Sequence, residues 1–230
     1  MFSLSSACYF SLFERVLWLV SVLVIAVAFA IYDRVNFLSL IASLIGVTFL
    51  IFNAKGNPIG QFLTIVFSIL YGVISYSFAY YGEMITYLGM TAPMALFAFV
   101  AWLRHPYKGE KTEVEVNSIT KPEVLLMFLL SAVVTAVFYF ILDALGTVNI
   151  IPSTISVTTS FLAVYLTFRR SHWFALAYAA NDLVLIILWL MASFEDKSYI
   201  SVLVCFIVFF FNDMYGFISW KRMKAKQENG

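Results

Sequence analysis

The chain has 230 residues, of which 63% are hydrophobic and only 12% charged, with a formal net charge of +1. A water-soluble domain carries roughly twice that share of charge, so a soluble enzyme or a nucleic-acid-binding protein is excluded, and lipid is the solvent that fits. Two distant cysteines, Cys8 and Cys205, and two histidines in charged connections, His105 and His172, offer neither a disulfide framework nor a metal site.

Eight stretches are long and apolar enough to cross a bilayer, which takes about 20 residues each. In chain order they are Val16–Tyr32, Asn36–Phe52, Ile59–Tyr80, Met84–Leu103, Val124–Leu145, Pro152–Phe168, Trp173–Phe194 and Tyr199–Trp220. Charge and turn residues separate them. Pro58, Pro122 and Pro152 stand near helix starts, where a missing N–H does no harm. Pro93 alone lies within a span and should kink the fourth helix by freeing the Gly89 carbonyl. The spans are continuously apolar, not alternating, so a β-barrel is excluded.

Alternate connections fall on opposite sides of the membrane. Of the 14 basic residues, all but Arg34 and Lys197 fall on the side of the termini. The positive-inside rule puts that side, and both termini, in the cytoplasm.

Spans two to four and six to eight share a pattern. Each block ends on a Trp and basic residues, Trp102-Leu103-Arg104 and Trp220-Lys221-Arg222, and each has an acidic turn before its last helix, at Glu83 and at Glu195-Asp196. Each block has an odd number of helices, so a single linking helix must join two blocks that point the same way. The expected fold is an all-α membrane protein with two parallel three-helix bundles in a 3+1+3 arrangement plus one extra N-terminal helix. In residues this gives an extra helix over 1–35, a first bundle over 36–104, a cytoplasmic loop and linker helix over 105–148, a second bundle over 149–222 and a cytoplasmic tail over 223–230. Parallel repeats place a substrate site at their interface near the midplane.

Ionisable groups at membrane depth are costly and point to function. Asn181-Asp182 in span seven and Asn212-Asp213 in span eight are such groups. Tyr178, Asn181, Asp182 and Trp189 fall along one helical stripe, and Tyr215 lies close to Asn212 and Asp213. A carboxylate beside aromatic faces suits a flat organic cation, through charge and cation–π attraction. The bland alternative is that these groups only bond neighbouring helices. Span three adds a weaker polar stripe that includes Gln61 and Tyr71. Tyr81, Trp173 and Tyr199 sit at span ends, where the interfacial belt accounts for them. No P-loop or hydrolase signature occurs, and no cofactor, metal or nucleic-acid partner is expected.

The run Asp213-Met214-Tyr215-Gly216-Phe217-Ile218-Ser219-Trp220 resembles the N-x-Y-G-W-x-x-W ending of the PnuC family of vitamin transporters. Span seven resembles the family's W-x-x-W-x-x-x-N/D motif, with Asp182 last, Tyr178 in the second aromatic position, Ala175 in the first, and Trp173 two residues early. The first block is more degenerate, with Ala95, Phe97, Ala98, Phe99 and Trp102. The resemblance covers spans two to eight and implies a SWEET-like architecture, a bacterial inner-membrane location and a homotrimer. It implies facilitated import of nicotinamide riboside, or of thiamine or another vitamin, with a cytoplasmic kinase trapping the substrate. Taken with the polar groups inside the spans, the expected substrate site is drawn from Tyr178, Asn181, Asp182, Trp189, Asn212, Asp213, Tyr215, Trp173, Gln61 and Tyr71. An integral-membrane enzyme or a non-transporting membrane subunit is the reading from a different class.

Overall fold

The computed structural model describes residues 9–77, 81–147 and 149–229. Cys8 and the expected end of the third span at Tyr80 lie outside the described residues. The eight long apolar helices are α1 (Leu12–Tyr32), α2 (Phe37–Ala54), α3 (Pro58–Ser77), α4 (Tyr81–Arg104), α5 (Lys121–Ala144), α6 (Ile150–Phe168), α7 (Phe174–Ser193) and α8 (Ile200–Glu228). All eight expected spans are present, within a few residues at most ends.

Helix starts and stops follow local chemistry. Ser11 and Glu14 cap α1 reciprocally through side-chain and backbone bonds of 2.6 and 3.2 Å, so the helix begins before its apolar run. At the end of α2, Gly56 adopts a left-handed φ of 65°, and the Asn57 N–H returns to the Phe52 carbonyl at 3.0 Å. At the end of α6, Arg170 takes φ 57° and the Ser171 N–H returns to the Leu166 carbonyl at 2.9 Å. Both helices thus close on the same turn, in which orphan carbonyls are met by folded-back N–H groups.

Helices α2, α3 and α4 pack in sequence, as do α6, α7 and α8. The two bundles meet along α2–α8 and α4–α6, so six helices form a ring of approximate two-fold symmetry. Helix α5 lies outside against α6, and α1 packs on α8 and α2. The matching Trp residues close both seams. The Trp102 indole N–H donates to the Thr167 carbonyl of α6 at 3.0 Å, and that of Trp220 to the Asn53 carbonyl of α2 at 2.7 Å. Each satisfies a last-turn carbonyl of the opposite bundle. The two rings are fully buried and touch, with centroids 5.3 Å apart.

The connection from Arg104 to Lys121, expected only as a loop, contains an antiparallel hairpin of β1 (Pro106–Tyr107) and β2 (Glu110–Val114). Its two-residue turn, Lys108-Gly109, has positive φ at both positions, as a primed hairpin turn requires. The chain after it forms a strap across both bundles. Val114 is fully buried and its N–H donates to Gly56 O at 3.0 Å, while the Asn117 N–H donates to Arg170 O at 2.9 Å. Those two acceptors belong to the equivalent helix-ending turns. Helix α8 continues through the expected tail as far as Glu228, and Gln227 Oε1 accepts from the Val116 N–H at 2.8 Å.

Candidate functional site

Asn181 Oδ1 accepts from Thr159 Oγ1 at 2.8 Å and from Ser160 Oγ at 3.0 Å. This locks α7 against α6 and fixes its rotation. The next residue, Asp182, is thereby turned toward α8, where it meets Asp213. Both carboxyls are buried and line the same cavity wall. Asp182 Oδ2 is buried with no hydrogen-bond partner, an oxygen left available to a donor or a positive charge.

The pair opens on a central cavity of about 40 Å³ between the bundles. Tyr178, Asn181, Asp182, Asp213 and Ser160 supply its polar wall, and Phe49, Phe67, Tyr87, Phe206 and Phe209 its aromatic wall. A space of that size holds one to three waters, so any larger solute requires the bundles to separate.

Pro93 acts differently from the expected simple kink. The fourth span changes to a π-helix over Thr86–Thr91, just before Pro93, and the Ala92 N–H reaches back to the Tyr87 carbonyl. The wide turn spends one extra residue, as π-bulges at functional sites do. Tyr87 and Thr91, at its two ends, both line the cavity.

The expected site residues divide into groups. Tyr178, Asn181, Asp182 and Asp213 meet at the cavity. Tyr71 stands behind it, against Tyr87 with centroids 4.6 Å apart. Gln61 is buried deeper in the first bundle and bonds Asn53 Oδ1 at 2.9 Å. Asn212 and Tyr215 turn away to α1: Asn212 Nδ2 donates to Ser21 Oγ at 2.9 Å and Tyr215 Oη to Glu14 Oε1 at 2.8 Å. Residues one and two positions from Asp213 project on other sides of α8, and the N-terminal helix takes them up. Trp189 packs on Tyr199, and Trp173 packs at a tilt against His172 and Phe217 at the half-exposed rim by the strap. Tyr87, Thr91, Phe67 and Phe206 join the site from segments that read as plain apolar span. Only the proline two residues beyond Thr91 signals the special turn.

A buried, acidic and aromatic cavity between two parallel helical bundles defines a multi-pass membrane transporter. The sequence profile of the nicotinamide mononucleotide transporter family matches residues 36–222, and the chain belongs to that family. It is 28% identical over 223 residues to the nicotinamide riboside transporter PnuC of Neisseria mucosa, spanning 95% of this chain and 84% of that one. Its fold is similar to the crystal structure of the vitamin B3 transporter PnuC, with a TM-score of 0.83 and 26% identity over 95% of this chain and 94% of that chain. The family resemblance drawn from the Asp213–Trp220 run is borne out, and the protein is a transporter, not an enzyme. Helix α1 precedes the matched region.

Proposed function

We propose that the protein imports nicotinamide riboside, with the ring cation held against Asp182 and Asp213 and stacked among Tyr178, Tyr87 and Phe206. The observation that carries this reading is the carboxyl pair facing an aromatic wall. A flat monocation gains both charge pairing and cation–π attraction there. The family is named for the mononucleotide, but a phosphate ester suits this cavity poorly. Its lining holds two carboxyls and neither Lys nor Arg among the described residues. Thiamine, also a flat cation, is the alternative vitamin.

Transport proceeds by alternating access of the two bundles, taken as residues 36–104 and 149–222 about the segment 105–148. A cytoplasmic kinase then traps the product. The cavity is too small for a nucleoside, and the strap and Trp seams close one end, which supports a cycle in which the bundles rock apart. The distribution of Lys and Arg supports a cytoplasmic location for the strap and both termini. The bacterial relative and the family resemblance support the inner membrane, a SWEET-like architecture and a homotrimer. Native mass spectrometry tests the trimer.

The deciding experiment is calorimetric titration of the detergent-purified protein with nicotinamide riboside, thiamine and the mononucleotide in parallel, followed by flux into proteoliposomes. Riboside binding with unchanged substrate recovered inside is the expected result. Tighter binding of the mononucleotide, or binding of thiamine alone, would overturn the substrate assignment.

A further inference from the structure

At the end of the molecule opposite the strap, Gly82, Glu83, Thr147, Asn149, Ser153 and Glu195 line a second chamber of about 50 Å³. Glu83 is part of its wall. Both carboxylate oxygens are shielded from solvent and neither has a hydrogen-bond partner; the Thr147 hydroxyl in the same wall is also buried and unpartnered. Glu195 stands exposed at the rim. A buried carboxylate without a donor is expensive unless a proton or another positive charge reaches it.

The chamber adjoins the central site. Glu83 lies one helical turn before Tyr87, so the two occupy one face of α4. The Tyr71 hydroxyl faces the Glu83 carboxyl without closing a hydrogen bond, and its ring packs on that of Tyr87. Leu188 in the chamber wall is six residues along α7 from Asp182, roughly 9 Å at 1.5 Å per residue. Asp33, Asp143, Glu195 and Asp196 surround this end against Arg34 and Lys197, a field that draws cations.

We propose that this chamber is a second binding site, for a monovalent cation, with Glu83 as its counter-charge and the Tyr71–Tyr87 pair as the partition from the central cavity. One buried carboxylate balances one positive charge. Among the described residues no three His, Cys, Asp or Glu gather here or elsewhere as a divalent ion would want. The cation has two sources: an alkali ion such as sodium, which hydroxyl and carboxylate oxygens suit, or the pyridinium ring of an arriving substrate, which a chamber of about 50 Å³ admits only as the bundles part. The substrate source rests on the reading given under Proposed function; the ion source does not.

The test uses the full-length protein and Glu83→Gln, with Glu83→Asp as a second variant that keeps the charge. In one arm, melting temperature is followed in sodium, potassium and N-methylglucamine chloride at equal ionic strength. An ion site predicts stabilisation by sodium that Glu83→Gln removes and Glu83→Asp retains in part. In the other arm, performed without sodium, influx of the riboside into proteoliposomes is compared with that of its uncharged dihydro form. A substrate site predicts that Glu83→Gln lowers influx of the cation at low concentration at least about fivefold and leaves the neutral form within about twofold. Either pattern supports the inference. Equal behaviour of wild type and Glu83→Gln in both arms overturns it, as does an equal loss for charged and neutral substrates without an ion effect. If the wild type carries no riboside, the substrate reading has failed, and the sodium arm alone decides the chamber.

Discussion

Single side chains in this protein are assigned by direction more than by type. Asp182 and Asp213 face one another and the cavity, whereas Asn212 and Tyr215, their neighbours in sequence, hold α1. Asp182→Asn keeps the shape and removes the charge, and should weaken riboside binding about 10- to 100-fold, as expected for losing a charged contact worth roughly 1.5–3 kcal/mol. Calorimetry on the purified variant checks this; Asn212→Ala should leave affinity nearly unchanged and lower the melting temperature. His172 offers a pH test outside the membrane. Burial first, and then Lys224, hold its pKa below the ordinary histidine value. The folded state therefore resists a proton that the unfolded chain accepts. Stability is level above the unfolded pKa of about 6.5 and declines as the pH falls from there toward the folded value. Melting curves between about pH 7.5 and pH 5 should show that decline, and His172→Gln should flatten it.

At the scale of elements, the strap and the π turn matter most. Gln227 accepts from Val116 N–H and donates to Val114 O at 3.0 Å and to Glu113 Oε1 at 3.1 Å, so one side chain ties the hairpin to α8. Gln227→Ala should free the strap and raise the rate of tryptic cleavage after Lys108 or Lys111 several-fold, roughly as expected for removing bonds worth about 1 kcal/mol each. Gel analysis of timed digests would reveal it; unchanged cleavage would mean that Val114 and Asn117 suffice. The eight spans were legible because apolar runs of this length are stable in few settings besides a bilayer. The hairpin was less so, since its five-residue second strand is mostly charged and its apolar end, Val114, is buried only by the tertiary cluster around Trp102 and Trp220 and by the Gly56 turn. The π turn was hidden for a related reason. Pro93 announces a disturbed helix, but whether the chain bends or inserts a residue depends on what the neighbouring helices accept.

For the molecule as a whole, the two tryptophan seams are the feature that links symmetry to stability. Trp102 and Trp220 cross between bundles to equivalent helix ends and touch at the centre. Replacing either with Phe deletes one indole donor from a buried carbonyl that keeps a backbone bond, from the Gly56 N–H at 2.9 Å or the Arg170 N–H at 3.0 Å, at a cost of about 1 kcal/mol. Because the rings are in contact, the double variant should depart from additivity by at least about 0.5 kcal/mol. Thermal melts of the four proteins in one detergent measure both quantities. A fully additive result would show that the seams act independently.

The sequence by itself determined the solvent, the number of spans, the side that carries the basic residues, the repeat and the family, because all of these follow from composition, periodicity and short motifs along one helix. It also supplied Tyr178, Asn181, Asp182 and Asp213, which are polar where lipid tolerates few such groups. Only the tertiary structure decided which of the polar residues share a cavity. Helix rotation sets that outcome, and contacts far away in sequence set the rotation: Thr159 and Ser160 holding Asn181, Ser21 holding Asn212, and Glu14 holding Tyr215. The outer chamber at Glu83 belongs to the same class, since its walls come from α4, α6, α7 and the turn before α6, and no local pattern could have joined them.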